Sequence, residues 1–447
     1  MDPPQPSKKS KWQYLRCTPR STLFELNNES QRSHVLLHAV SKWAKGEAAP
    51  TNLAKGRGIN VNSHFDSGNI EVVDISQAQA RGVSHELNLR IHADPYCESD
   101  DVSHFMWFYF RVTGAKGEEL HINITNAGEG SFPVAWPGYQ TCATYDRKFW
   151  FRVPTTYDKD TGVLSWKHTP AHDAVRYAYF APYPYEQHQT LIADCQSKPG
   201  VTLEMLGQTL DGHDLDLLRI GDADDKDKKK IWVIARQHPG ESMAEWFMDG
   251  MLKRLLDHHD PVSRKLLQQA VFYVVPNMNP DGTWRGHLRT NAAGANLNRE
   301  WDTPTLEHSP EVYYVRNHMD LVGCDFLADI HGDEEIEYNF LAGNEGIPAW
   351  DDRLKGLQDE FCQAFLHTSP DFQMGNGYGV DPPGQANLAI CSSAVGQRYN
   401  CLAFTLEMPF KDVHYAREPV QGWSPERSVR FGAAILNAIL AVVPDLR

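Results

Sequence analysis

The sequence predicts an α/β domain, with a mixed and mostly parallel sheet flanked by helices, preceded by an antiparallel β-sandwich. Three observations lead there. Residues 58–182 hold a succession of short β-rich runs with no helical stretch between them, the pattern of an antiparallel sandwich. Residues 183–447 alternate near-continuous apolar runs with helical patterns, as in a sheet covered on both faces. Residues 1–57 fit neither pattern: they are polar and rather basic.

Within that N-terminal extension one amphipathic piece, residues 30–45, carries Val35, Leu36, Leu37, Val40 and Trp43 at roughly helical spacing, so a tail with one docked helix is expected. The sandwich strands are expected at IEVVDI, HELNLRIHA, HFMWFYFRV, ELHINITNA, KFWFRVP, GVLSWKH and AVRYAYFAPY, punctuated by Gly, Pro, Asp and Asn. The aromatic run HFMWFYFRV is expected to form core. A hairpin follows in LGQTLDGHDLDLLRI, with Asp211–Gly212 as its turn. The acidic and basic run DADDKDKKK is a solvated loop, and IWVIA, MAEWFMDGMLKRLLDHH, AVFYVVP, EVYYVRNHMDLV, CDFLADI and CLAFTLE then supply strands and helices.

Composition narrows the function. The chain has 447 residues, 41% hydrophobic and 23% charged, ordinary values for a globular protein of two or three domains. A net charge of −15 argues against nucleic acid or a polybasic membrane contact. No run approaches 18 consecutive apolar residues, so no membrane span is expected. The N-terminus has no apolar signal core, and the eight cysteines are scattered without a CxxC pair. Free buried thiols and a cytoplasmic location are expected.

The polar residues collect where such a sheet binds ligands, beyond the carboxyl ends of its strands. IWVIA runs into Arg236-Gln237-His238-Pro239-Gly240-Glu241, AVFYVVP into Asn277-Met278-Asn279, CDFLADI into His331 and CLAFTL into Glu407. The spacing H-x-x-E occurs at His238–Glu241, His308–Glu311 and His331–Glu334. The first is either a metal-binding pair or a polar turn. Its place at a strand–helix corner, with His331 at another strand end, favours a His₂Glu set of the kind that holds catalytic zinc. His308–Glu311 is expected to be structural, because Ser309–Pro310 marks a helix start. Glu334 is either a fourth ligand or a helix-start carboxylate, and the second is favoured.

These residues resemble a known family. HPGE at 238–241, NPDG at 279–282, NLNREW at 296–301, DIHG at 329–332 and FTLE at 404–407 look like the zinc carboxypeptidases of the M14 type, in particular the cytosolic carboxypeptidase branch, whose β-sandwich domain precedes the catalytic domain. The resemblance runs from about residue 60 to 445, through the junction FAPYPYEQ. It implies one zinc ion per chain on His238, Glu241 and His331. It makes Glu407 the base that takes a proton from zinc-bound water and Arg289 the stabiliser of the carbonyl oxyanion. Asn298 and Arg299 would grip a terminal carboxylate. For Arg289 and Arg299 a surface ion pair is the alternative. The family's loop tyrosine, which closes over substrate, has no clear match here; Tyr378 in GNGYGVDPPG is the candidate, with Tyr399 as competitor. The family's GNYR and DLNR read GHLR and NLNR here, and His287 is expected to be a loop residue without a role.

The implied activity is release of C-terminal residues from a peptide or protein. Two alternatives stay open: an amidase on a small acyl-amino acid, and a catalytically silent peptide-binding module. Branch members that trim glutamate tails carry a basic residue ahead of the catalytic Glu. Residues 384–393 read GQANLAICSS, so that substrate is in doubt unless Arg398 reaches the pocket.

Overall fold

The structure, a computed structural model, describes residues 58–77, 84–97 and 103–447. The expected extension 1–57, with its helical piece, lies outside the described residues. Ten strands come first: β1 (Asn60–Asn62), β2 (Glu71–Ser76), β3 (His85–Arg90), β4 (Tyr109–Thr113), β5 (Leu120–Ile124), β6 (Thr141–Thr144), β7 (Phe151–Val153), β8 (Thr155–Asp158), β9 (Val163–His168) and β10 (Ala174–Ala178). They form two five-stranded sheets, ordered β1-β4-β10-β6-β7 and β2-β3-β5-β9-β8. The sheets meet through aromatic rings. Phe108 stacks on Trp166 at 6.0 Å, and Tyr177 lies 5.6 Å from Trp166. The run HFMWFYFRV is therefore core, although only its second half is strand. One detail differs from the expected antiparallel pairing: β3 and β5 run parallel, since β4 crosses to the other sheet between them.

Seven further strands form one sheet, ordered β11-β12-β14-β13-β15-β17-β16: β11 (Val201–Gln208), β12 (Asp214–Ile220), β13 (Lys229–Ala235), β14 (Ala270–Val275), β15 (Phe326–Asp333), β16 (Phe340–Ala342) and β17 (Leu402–Pro409). The sheet was expected to be mostly parallel. Its centre, β14-β13-β15-β17, is parallel, whereas β11, β12 and β16 are added antiparallel; the Asp211–Gly212 turn folds β11 back on β12 as a hairpin. The described helices are α1 (Tyr185–Gln196), α2 (Met243–Leu255), α3 (Pro261–Gln269), α4 (Pro280–Arg285), α5 (Pro310–Val322), α6 (Asp352–Thr368), α7 (Cys391–Tyr399) and α8 (Pro425–Val442).

Strand β13 shows why the central runs are continuously apolar. Ile231, Val233 and Ala235 face one apolar cluster with α2, α6 and α8. Trp232 and Ile234 face a second, with α5 and α7. The first cluster also continues into the two N-terminal sheets, and Tyr179 stacks on Phe410 at 4.5 Å. The change of architecture near residue 182 is thus not a gap in packing. Cys142, Cys195, Cys324, Cys362, Cys391 and Cys401 are free and buried.

Helix α8 is the centre of the first cluster. The stretch Pro425–Asp445 is long and apolar enough to cross a membrane by average hydropathy, a property that counting consecutive apolar residues missed. Phe431, Ile435, Leu436 and Ile439 are buried in the protein. Its crossing with α2 is backbone on backbone: a Cβ on Gly432 would meet the Phe247 carbonyl oxygen at 1.9 Å, and one on Gly250 the Val429 carbonyl oxygen at 1.8 Å. Gly432→Ala must therefore push the helices apart and is expected to cost about 3 kcal/mol, read from urea unfolding. A change below about 0.5 kcal/mol, the range of surface substitutions, would show that the crossing is not this tight.

Candidate active site

The candidate residues gather at one end of the parallel strands. Register places His331 of β15 directly beside Glu407 of β17. Both strands continue beyond their expected ends, to Asp333 and Pro409, because the ladder between them runs on through Gly332–Met408 and Asp333–Pro409. Glu407 therefore sits inside a strand, not at its free end.

Between β13 and α2 the chain turns sharply. Arg236 takes a left-handed φ of 59°, uncommon for a residue with a side chain. Its buried guanidinium folds back under the turn: Nε donates to the Pro239 carbonyl at 3.0 Å and Nη1 to Glu245 Oε2 at 2.8 Å. From β14, Asn279 Nδ2 donates to the Gln237 carbonyl at 3.1 Å. Gly240 N–H donates to the Leu288 carbonyl at 2.8 Å, and a Cβ on Gly240 would stand 2.9 Å from that oxygen. The turn is thus pinned from three sides.

That pinning sets three donor groups together. His238 Nδ1 lies 2.6 Å from Glu241 Oε1, and His331 Nδ1 lies 2.7 Å from Glu241 Oε2. One atom from each of the three residues falls within 4.8 Å of the others, and all three are buried. The outward nitrogens are occupied: His238 Nε2 lies 2.9 Å from Asn296 Oδ1, and His331 Nε2 lies 3.1 Å from Asp329 Oδ2. An outer acceptor fixes the tautomer and leaves Nδ1 as the inward lone pair, as metal-binding histidines require. Gln237 orders this shell, donating to Asp329 at 2.6 Å and accepting from Trp301 Nε1 at 2.8 Å. Burial, with Arg289 adding, pushes His238 down to about 3. Burial opposes charge on His331 as well, but Asp329 and Glu241 outweigh it and raise its pKa. The donor set fits zinc in composition.

A cleft of about 540 Å³ opens over this group, lined also by Glu407, Arg289, Asn298, Arg299 and Tyr378. Every site residue expected from the sequence thus borders one cavity. Burial raises the Glu407 carboxyl well above the usual range, with Glu241 adding and His331 opposing. Among the described residues its Oε2 has no hydrogen-bond partner, while Oε1 lies 3.3 Å from the Tyr378 hydroxyl. Tyr378 also donates to Asp333 Oδ2 at 2.6 Å. Among the described residues neither Arg289 nor Arg299 has an ion-pair partner, and both border the cleft. Asn298 Oδ1 accepts the Cys391 N–H at 2.8 Å, leaving its amide nitrogen to donate elsewhere.

Other expectations separate. Tyr399 and Arg398 bind Asp320 on the exterior, so neither lines the cleft. His308 is outside it, and Glu311 is a buried carboxyl at the start of α5 that accepts from Asn291 at 3.1 Å. Glu334 does not begin a helix; it is buried, borders the cleft and is raised by burial and Glu241. The His287 ring lies with Nδ1 3.0 Å from the Thr290 carbonyl, and its backbone N–H donates to the Gly282 carbonyl at 3.0 Å. The residues missed were Arg236, Glu245 and His188. A helical Glu and a lone His offer no local signal for a buried network.

Comparison with known proteins agrees with this geometry. The profile described as the cytosolic carboxypeptidase N-terminal domain matches residues 61–180, and that described as zinc carboxypeptidase matches residues 189–315. An uncharacterized protein of Zymomonas mobilis is 48% identical over 87% of this chain and 97% of its own length. A metallo-carboxypeptidase structure from Pseudomonas aeruginosa, in complex with (2-guanidinoethylmercapto)succinic acid, is 44% identical, covers 87% of this chain and all of that one (100%), and superposes with a TM-score of 0.81. Cytosolic carboxypeptidase 6 of Caenorhabditis elegans is 28% identical over 77% of each chain. Fold and cleft define a peptidase of the metallo class. The chain belongs to the zinc carboxypeptidase family, in its cytosolic carboxypeptidase branch.

The network beneath the turn yields a pH test. His188 Nδ1 lies 2.7 Å from Glu245 Oε1, and Nε2 lies 3.6 Å from Asp216. Burial opposes its charge, but Glu245 and Asp216 outweigh burial and lift the pKa to about 9. The folded value lies above the unfolded one, near 6.5, so this stabilisation is complete below about pH 6.5 and lost as pH rises through about 9. It amounts to about 3 kcal/mol at most. Unfolding midpoints measured across that range should fall for the parent and stay flatter for His188→Gln. Equal slopes would remove His188 from the network's charge balance.

Proposed function

We propose that the chain is a zinc-dependent carboxypeptidase that removes C-terminal residues from peptides or proteins, with one zinc ion held by His238, Glu241 and His331. The observation that carries this reading is the buried His–Glu–His group, its outward nitrogens already satisfied, facing a cleft lined by Glu407, Arg289 and Arg299, none of which has an ion-pair partner among the described residues. When bound, zinc supplies Lewis acidity toward the scissile carbonyl and lowers the pKa of water.

The protein's own groups divide the remaining work. Glu407 Oε2 takes a proton from the attacking water and delivers it to the leaving amine nitrogen. Arg289 stabilises charge on the carbonyl oxygen, where a fixed cation is most effective in a site that excludes water. Arg299 and the Asn298 amide hold the terminal carboxylate, for which a planar guanidinium is suited. Tyr378 lies over this space as the loop tyrosine. We assign residues 58–182 and 183–447 to the sandwich and catalytic domains and place the enzyme in the cytoplasm, as the names of its relatives and its buried free thiols suggest.

Charge also bears on the substrate. The cleft lining includes Glu241, Asp333, Glu334, Glu335, Asp381 and Glu407, against Arg289 and Arg299 alone among lysines and arginines. Both arginines have assigned tasks, so no cation remains for a glutamate side chain. Peptides ending in neutral or basic residues are expected to be cleaved faster than those ending in glutamate. The test is a panel of free-acid peptides varied at the last residue, with products read by mass spectrometry. Cleavage should stop with a chelator, return with zinc, and fail on C-terminally amidated peptides; equal turnover of the amides would contradict the carboxylate clamp. Glu407→Gln should lower kcat by about 10²–10⁴ at unchanged zinc content, and retained activity would contradict its role as base.

A further inference from the structure

The loop that carries Arg289 is held in part by residues that lie between the N-terminal strands. Asp94 follows β3, is buried, and donates its backbone N–H to the His104 carbonyl at 2.8 Å. Its carboxylate spans three consecutive peptide groups. Oδ1 accepts the Leu288 N–H at 2.8 Å, and Oδ2 accepts the Arg289 N–H at 2.8 Å, the Thr290 N–H at 2.9 Å and the Thr290 hydroxyl at 3.1 Å. Asn69 holds the start of the same loop: Nδ2 donates to the Gly286 carbonyl at 3.0 Å, while Oδ1 accepts the His92 N–H at 3.1 Å. Phe132, from the same part of the chain, lies 5.7 Å from the Arg289 guanidinium. On the opposite side the Leu288 carbonyl accepts from Gly240 in the His238–Glu241 turn. The Leu288–Arg289 peptide therefore connects Asp94 directly to the His238–Glu241 turn.

We propose that Asp94 is a positioning residue for catalysis: it fixes the backbone of Leu288–Thr290 so that Arg289 is aimed into the cleft before substrate arrives. This rests on the oxyanion role proposed above for Arg289. A carboxylate accepting several N–H groups makes stronger and more directional contacts than neutral acceptors do. An ångström of misplacement at a reacting centre costs about 10²-fold in rate. Asp94→Asn keeps the shape but exchanges one acceptor oxygen for an amide NH₂, which cannot accept from these donors. Arg299 and Asn298 belong to a different segment, so ground-state grip on the terminal carboxylate should persist.

The test is a double-mutant cycle on the full-length, zinc-loaded enzyme: parent, Asp94→Asn, Arg289→Ala and the pair, with kcat and KM measured on one free-acid peptide. Asp94→Asn should lower kcat by about 10- to 100-fold with KM within about threefold, the signature of an interaction specific to the transition state. In the Arg289→Ala background the same change should lower kcat by less than about twofold, because residues that act through one another are not additive. An equal factor in both backgrounds would overturn the proposal and leave Asp94 a purely structural residue. Unchanged kcat in Arg289→Ala alone would remove the oxyanion role and the proposal with it. If Asp94→Asn does not fold, Thr290→Val, which deletes one donor to the same carboxylate, passes through the cycle under the same criterion.

Discussion

A buried guanidinium lies under the corner between β13 and α2, and the site depends on it. Arg236 must adopt a left-handed φ to turn the chain, and it is kept there by bonds to the Pro239 and Tyr183 carbonyls and to Glu245. Glu245 is in turn shared with His188 and Asn277. Removing one partner of such a buried pair costs about 3–5 kcal/mol, since the other charge is left without compensation. The corner that presents His238 and Glu241 is therefore set by a charge network that never enters the cleft.

The same logic extends across the sheet. Parallel strands β13, β15 and β17 end side by side, so residues about a hundred positions apart arrive within one hydrogen-bonding distance: Glu241 reaches His331, whose Cα pairs with Glu407. Around them a shell of Asn296, Asp329 and Gln237 fixes imidazole orientation. Such shells keep donor atoms in place at little cost in reorganisation, which is what a metal centre and a developing oxyanion both need. Acidic residues and the guanidinium groups of Arg289 and Arg299 line the cleft above them.

Much of this was legible in the sequence, and the reasons differ by element. The central strands read clearly because burial on both faces leaves continuous apolar runs, and polar residues at their ends stand out against them. His238, Glu241, His331 and Glu407 were found that way. The short strands β6 and β8 were not, because Thr141–Thr144 and Thr155–Asp158 have too little apolar content to mark them. Helix α4 is not among the elements expected from the sequence, although Asn279 caps it by accepting the Gly282 N–H and Pro280 occupies its first turn. The parallel pairing of β3 with β5 has no local signature. Neither has the contact of Asp94 with Arg289, which joins residues 195 positions apart. Long-range polar contacts of this kind are chosen by tertiary packing, and no periodicity records them.

The central claim is that the turn pinned by Arg236 and the end of β15 together form one metal site. Anomalous diffraction from crystals of the zinc-loaded protein, measured on both sides of the zinc absorption edge, tests it most directly. The account predicts a single peak per chain bounded by His238 Nδ1, the Glu241 carboxylate and His331 Nδ1, at about 2.0–2.2 Å from each ligating atom. A peak at other residues, or none in protein that cleaves peptides, would contradict it.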